Sequence, residues 1–158
     1  MSWQPYMSLA LAEAARAVGH SDVPVGAVVV DENSDVVATA RNLREASGDP
    51  TAHAEIVALR EAAKARRLGW RLDGCTMVVT LEPCLMCAGA LLAARVDRLV
   101  FGAWDAKAGA CGSIWDVVRD GAALHQIEVI PGVDASRSER LLANFFTSRR
   151  NTNPKARA

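Results

Sequence analysis

The sequence predicts one α/β layered domain, and three observations carry that expectation. Short runs rich in β-branched residues alternate with Ala- and Leu-rich stretches, the pattern of strands interleaved with helices. At 158 residues and 51% hydrophobic content, the chain has enough apolar side chains for a single buried core. No repeat, low-complexity tract or linker composition divides it, so residues 1–150 are expected to form one domain, followed by a basic, flexible tail over 151–158.

Met7 to Val18 is Ala- and Leu-rich with Glu13 and Arg16 on a polar side, and Gly19 stands where a helix C-cap glycine would, predicting a first helix. Val25 to Val30 and Val36 to Thr39 flank the turn-forming Asp31-Glu32-Asn33-Ser34, predicting a hairpin. Asn42 to Pro50 is polar and reads as a loop, whereas Thr51 to Arg67 has the composition of a second helix. Cys75 to Leu81 is a buried strand, broken by Glu82-Pro83. Cys84 to Arg95 is small and apolar throughout and predicts a buried helix. Val96 to Phe101 is a further strand, Gly102 to Ser113 a Gly-rich loop, and Ile127 to Ile130 a last strand. Ser136 to Arg150 closes the chain with a helix whose apolar side holds Leu141, Leu142, Phe145 and Phe146. An opening hairpin followed by strands separated by helices implies antiparallel pairing first and parallel pairing later.

The 18 Lys and Arg balance the 18 Asp and Glu, which argues against a general basic coat for nucleic acid. The charge is unevenly placed, however. From Arg137 to Ala158 the basic residues outnumber the single acid Glu139 to leave +5, and the rest of the chain carries −5. A local basic approach therefore remains available. The 4 cysteines are too few for a disulfide scaffold and fit a reducing compartment. The N-terminus lacks the features of a targeting signal, and charges interrupt every apolar run short of a bilayer span. A soluble, cytoplasmic protein is expected.

The chemistry-bearing residues are His53, Cys84 and Cys87. Imidazole with two thiolates suits zinc rather than magnesium or calcium. Cys84 and Cys87 stand three apart at the start of a predicted helix, so their sulfurs share a side where backbone N–H groups favour thiolate. Pro83 is compatible with that first turn. Three protein ligands leave one tetrahedral position open for water, whose pKa zinc lowers to about 7 from 15.7. Glu55 is the candidate base. Positions two apart lie about 200° apart on an ideal helix. His53 and Glu55 are therefore predicted to sit at an irregular first turn.

Blander readings stand beside these. A lone histidine is more often structural, and a lone Cys-x-x-Cys can be a redox pair. A four-ligand structural zinc would need Cys75 or Cys111; Cys75 reads as core packing and Cys111 as undecided. His20 and His125 read as surface or packing residues. One of Phe145 and Phe146 is expected in the core and the other exposed. Arg149 and Arg150 are a solvated helix end or an RNA contact. Trp3, Trp70 and Trp115 read as packing or interface residues.

His53-Ala54-Glu55 followed by Pro83-Cys84-Leu85-Met86-Cys87 has the zinc deaminase pattern. With Val23 to Ala27, Asp49 to Ile56, Val79 to Cys84, Met86 to Ala90, Phe101 to Ala103, Asp105 to Lys107 and the stretch from Phe145 to Arg150, the chain resembles the bacterial tRNA-specific adenosine deaminases. The resemblance runs from the first helix to Arg150. It implies a cytidine-deaminase-like three-layer α/β/α sandwich with a mixed five-stranded sheet, a homodimer, one zinc ion per chain, and conversion of a tRNA wobble adenosine to inosine. By the same resemblance Asn42 holds the target nucleoside, Asp105 and Lys107 meet anticodon nucleotides, and Phe146, Arg149 and Arg150 touch the RNA. Trp104 departs from the family pattern, which has a charged residue there; an indole can stack on a splayed base instead. The expected reaction is hydrolytic deamination, with Glu55 moving protons between water, a ring nitrogen and departing ammonia. The rival readings are a free nucleobase or nucleoside deaminase acting on guanine, cytosine or cytidine, and a zinc-stabilised RNA-binding module without turnover.

Overall fold

The computed structural model describes residues 2–66 and 69–152, so the expected basic tail lies outside the described residues from 153 onward. Five strands form one sheet in the order β2-β1-β3-β4-β5: β1 (Gly26–Val30), β2 (Val36–Arg41), β3 (Thr76–Leu81), β4 (Arg98–Ala103) and β5 (Glu128–Ile130). β1 pairs antiparallel with β2 and with β3, whereas β3 with β4 and β4 with β5 are parallel. The mixed sheet and the opening hairpin match the expectation.

Helices cover both faces. Along each central strand successive side chains point to opposite faces. Val28, Val30, Val78 and Val100 pack with Trp3, Met7 and Leu11 of α1 (Gln4–Ala17) and with Leu141 of α5 (Ala135–Thr152). Val29, Met77, Val79, Leu99 and Phe101 pack instead with Ala58 and Leu59 of α3 (Ala54–Arg66) and with Leu91 of α4 (Leu85–Ala94). The result is three layers, as the resemblance implied.

Gly26 shows how closely α1 lies on the sheet. A Cβ there would run into the carbonyl oxygen of Ala10 and approach the amide nitrogen of Ala14 to 2.6 Å. Glycine is thus required at that point of β1 for the helix backbone to come so near.

Several element limits differ from expectation: β2 runs on to Arg41, α3 begins at Ala54 rather than Thr51, and the ends of other elements move by one or two residues. α1 begins at Gln4 rather than Met7, because Pro5 sits in the first turn, where its missing N–H removes no helical bond. The polar stretch from Asn42 to Pro50 contains a single helical turn, α2 (Arg44–Ser47). It is held from outside: the buried Asp22 carboxylate accepts the N–H groups of Glu45 and Ala46 at 2.8 and 3.1 Å. β4 begins at Arg98, two residues later than expected.

The tryptophans read as packing or interface residues divide. Trp3 is buried, whereas Trp70 and Trp115 are exposed. Cys75 is core packing as expected, with the Arg66 guanidinium donating to its sulfur at 2.7 Å. His125 packs with its Nε2 2.7 Å from the carbonyl of Val96.

Candidate metal centre and its pocket

All the pocket-forming segments meet at one edge of the sheet: the carboxyl ends of β2, β3 and β4 and the start of β1. Helix N-termini point at the same edge. The Asp49 carboxylate accepts both the N–H and the hydroxyl of Thr51 at 2.7 Å, turning the chain just before α3. These bonds hold the Asp49 carboxyl below its ordinary range, the Thr51 hydroxyl bond contributing most. His53 then precedes the helix and its carbonyl accepts the N–H of Val57 at 3.0 Å, while Glu55 stands in the first turn. The predicted irregular start is present, and it lets both side chains reach one site.

Cys84 is the N-cap of α4, with extended backbone (φ −74°, ψ 174°), and Cys87 is the third helical residue. The His53 Nδ1 lies 3.6 Å from the Cys84 sulfur and 3.5 Å from that of Cys87. A tetrahedral zinc with Zn–S of about 2.3 Å and Zn–N of about 2.0–2.1 Å has an S···N edge of about 3.6 Å. The donors are therefore already spaced as zinc requires, and their chemistry, one imidazole and two thiols, is the set zinc takes. Among the described residues the metal-ligating cluster is His53, Cys84 and Cys87, without Cys75 or Cys111. Cys111 is buried, its thiol 3.9 Å from the carbonyl of Pro83.

The thiol pair titrates unequally. The hydrogen bond from the Cys87 thiol, with His53 beside it, brings the Cys84 thiol down to about 3 against the opposing effect of burial. Donating that same hydrogen bond to the Cys84 sulfur, with burial and the nearby Glu55, pushes the Cys87 thiol far above its ordinary value. His53 is raised, chiefly by its contact with Cys84. Burial lifts the carboxyl of Glu55, which is 4% exposed. A carboxyl moved toward neutral pH is suited to taking up and returning a proton.

A pocket of about 570 Å³ opens over this centre. Val23, Val25, Asn42, Arg44, Leu81, Glu82, Asp105 and Ala108 form its walls, with His53, Glu55 and Cys84 also lining it. Asn42 is 7% exposed; its amide nitrogen donates to the carbonyl of Val23 at 3.3 Å, and its Oδ1 is buried without a hydrogen-bond partner in the structure. Such an acceptor suits a donor carried by a ligand.

Not every expected contact residue reaches this pocket. Asp105 does, but its Oδ1 also accepts the N–H groups of Lys107 and Ala108 at 2.9 and 3.2 Å, shaping its own turn. Lys107 is exposed on the same loop without lining the pocket. Phe146, Arg149 and Arg150 lie on α5; Phe146 is exposed and Phe145 buried, as expected of the pair. Arg149 stacks over Phe145 at 5.4 Å and lines a separate groove of about 720 Å³ with Val18, Ser21, Leu141, Asn144 and Ser148. Arg150 donates to the Thr147 hydroxyl at 3.3 Å. Trp104 is exposed, its ring edge-on to Phe101 at 4.8 Å.

Sequence reasoning missed Asp22, Arg44 and Glu82. Arg44 lines the pocket from α2. The two carboxylates work through backbone groups more than twenty positions away, which leaves no local pattern to read.

Residues 1–103 match the model of the cytidine and deoxycytidylate deaminase zinc-binding region. The chain is 44% identical to the tRNA-specific adenosine deaminase of Bacillus subtilis, over 96% of its own length and 93% of that protein. It is 48% identical to the protein of that name from Haemophilus influenzae, over 90% and 81% respectively. Among solved structures, one from a study of A-to-I editing by tRNA:A34 deaminases at the wobble position aligns with a TM-score of 0.83 and 40% identity, covering 87% of this chain and 99% of that one. A guanine deaminase from Nitrosomonas europaea aligns with a TM-score of 0.77 at 25% identity, covering 92% and 85%.

Proposed function

The chain belongs to the cytidine and deoxycytidylate deaminase family of zinc-binding proteins, and from that premise we propose that it converts adenosine to inosine at the wobble position of a tRNA anticodon. The observation that carries this is the buried Glu55 beside a zinc-spaced His53, Cys84 and Cys87 at the base of an open pocket, in a chain so similar to tRNA-specific deaminases.

His53 Nδ1 and the sulfurs of Cys84 and Cys87 would hold the ion. When bound, zinc supplies Lewis-acid activation of water, bringing its pKa to about 7. Glu55 takes a proton from water and delivers it to a ring nitrogen of adenine as oxygen adds at C6. It then carries a proton to the exocyclic nitrogen, which leaves as ammonia. Adenosine and water thus give inosine and ammonia, and the carboxylate is regenerated. Asn42 presents its unpartnered Oδ1 to the bound nucleoside, and Val23, Val25 and Leu81 exclude bulk water from it. Asp105 and Lys107 on one loop, and Phe146, Arg149 and Arg150 on α5, are assigned to the RNA around the flipped nucleotide.

Two copies are expected to associate. The family supports this, as does the apolar groove between α3 and α4, where the exposed Trp70 joins Ile56, Leu59, Ala90 and Ala93. Sedimentation at the 16.8 kDa of one chain would contradict it. A tRNA substrate also implies a cytoplasmic site of action. No helix among the described residues is long and apolar enough to cross a membrane.

The deciding experiment incubates the zinc-loaded protein separately with tRNA, guanine and cytosine, and measures inosine and ammonia. Wobble inosine is the expected product. Activity confined to free bases would assign the chain to the nucleobase deaminases instead. RNA binding without ammonia would make it a binding module.

A further inference from the structure

Glu82 is a buried carboxylate with no part in the proton transfers above. It follows β3 directly, stands two residues before the ligand Cys84, and is 2% exposed. Its polar partners are three backbone N–H groups: Oε2 accepts from Asp105 at 2.9 Å, and Oε1 accepts from Cys111 and Ser113, each at 3.0 Å. A buried charge is tolerated only when such bonds replace its water. All three donors belong to the loop that follows β4, and their convergence on one carboxylate bends that loop around it.

The fit leaves no slack. A Cβ on Gly109 would collide with Glu82 Oε2 and with the Ser113 hydroxyl, so the loop backbone rests directly on the carboxylate. A further bond, from the Ala110 N–H to the carbonyl of Pro83 at 2.9 Å, ties the loop to the residue that leads into Cys84. The same loop presents Asp105 and Ala108 to the pocket.

We infer that Glu82 is a positioning residue that fastens the substrate-facing loop, through the Asp105 N–H, to the strand end bearing the metal ligand, and so sets how tightly the nucleotide is held. This rests on the deaminase reading above. Glu82 acts through Asp105 and leaves the reacting atoms to Glu55 and the metal ligands.

Glu82→Gln tests it selectively. With its carbonyl oxygen kept toward Cys111 and Ser113, the glutamine turns its NH₂ group onto the Asp105 N–H, donor against donor. The backbone amide of Asp105 then exchanges with solvent faster while those of Cys111 and Ser113 stay protected. KM for an anticodon stem-loop carrying the wobble adenosine rises about threefold to tenfold, the effect of one weakened contact between the displaced loop and the nucleotide. kcat stays within about twofold and zinc content is unchanged. Gly109→Ala, which pushes the carboxylate from the loop side, raises KM in the same way.

A merely structural glutamate would behave differently, lowering the zinc-loaded fraction and apparent kcat together while leaving KM alone. That result, or unaltered exchange at Asp105 in a folded Glu82→Gln protein, overturns the inference. If neither variant folds, Glu82→Asp, which keeps the charge but shortens its reach to the three N–H groups, is read by the same Asp105 exchange, KM and zinc content. Should the unsubstituted protein act only on free bases, the tRNA reading falls, and Glu82 is still judged by Asp105 exchange and by KM for that base.

Discussion

Replacing Gly26 with alanine tests how α1 is seated on the sheet. The added Cβ would lie 2.6 Å from the Ala14 amide nitrogen and closer still to the Ala10 carbonyl oxygen. An ordinary contact begins near 3.4 Å, and the closer approach to the Ala10 oxygen governs, so helix and strand must part by more than an ångström. Overpacking a core costs about 1–3 kcal/mol, and the obstacle here is helix backbone rather than a side chain that can rotate, which points to the upper end. For a domain of this size about 3 kcal/mol lowers the melting temperature by about 6–12 °C. Gly19→Ala is the matched control, because its Cβ meets nothing within 4 Å. Thermal unfolding of both zinc-loaded variants is the assay. A Gly26→Ala protein melting within about 2 °C of the parent, or losing no more than Gly19→Ala, would refute the close approach.

Glu55→Gln is expected to lower turnover about 10²- to 10⁴-fold, the worth of a positioned general acid–base, with zinc content measured by elemental analysis unchanged. Asn42→Ala should raise KM for the stem-loop about fivefold, near 1 kcal/mol for one hydrogen bond to the nucleoside, and lower the melting temperature by about 2–4 °C, because the buried bond from its amide nitrogen to the Val23 carbonyl is lost as well. Chelating the metal should expose one reactive thiol, Cys84, to alkylation even in mild acid, because it alone is held down near 3, whereas burial raises both Cys75 and Cys111. The sign for loading follows from Cys87. Its thiol is raised, so it keeps its proton at neutral pH; zinc must displace that proton, and affinity therefore falls as pH falls, seen as buffer-dependent heat in calorimetry. Substituting Arg149 and Arg150 by glutamine should weaken tRNA binding and flatten its dependence on salt without changing zinc content.

The parts of the site readable from sequence are those whose meaning is local. His53 with Glu55, and Cys84 with Cys87, are short spacings interpretable by helix geometry alone, and the required irregular first turn is where α3 begins. The alternation of strands and helices was readable from composition, but the three layers came from the resemblance: Val28 to Val30 and Met77 to Val79 are apolar at every position, so nothing local assigns their side chains to two faces. Asp22 and Glu82 were not readable. Each looks like a surface acid in a turn until the chain returns, 23 residues later in both cases, to offer it backbone N–H groups. α2 escaped notice because its polar composition is that of a loop; a carboxylate from elsewhere gives the turn its cap.

The metal ligands and Glu55 are mounted on or beside the N-termini of two helices packed into the core, whereas Asn42, Arg44, Asp105 and Ala108 hang from the turns after β2 and β4. The two turns differ in how freely they can vary: changes at Asn42 or Arg44 reshape the pocket away from the metal ligands, whereas the loop after β4 is tied through Glu82 and Pro83 to the residue that leads into Cys84.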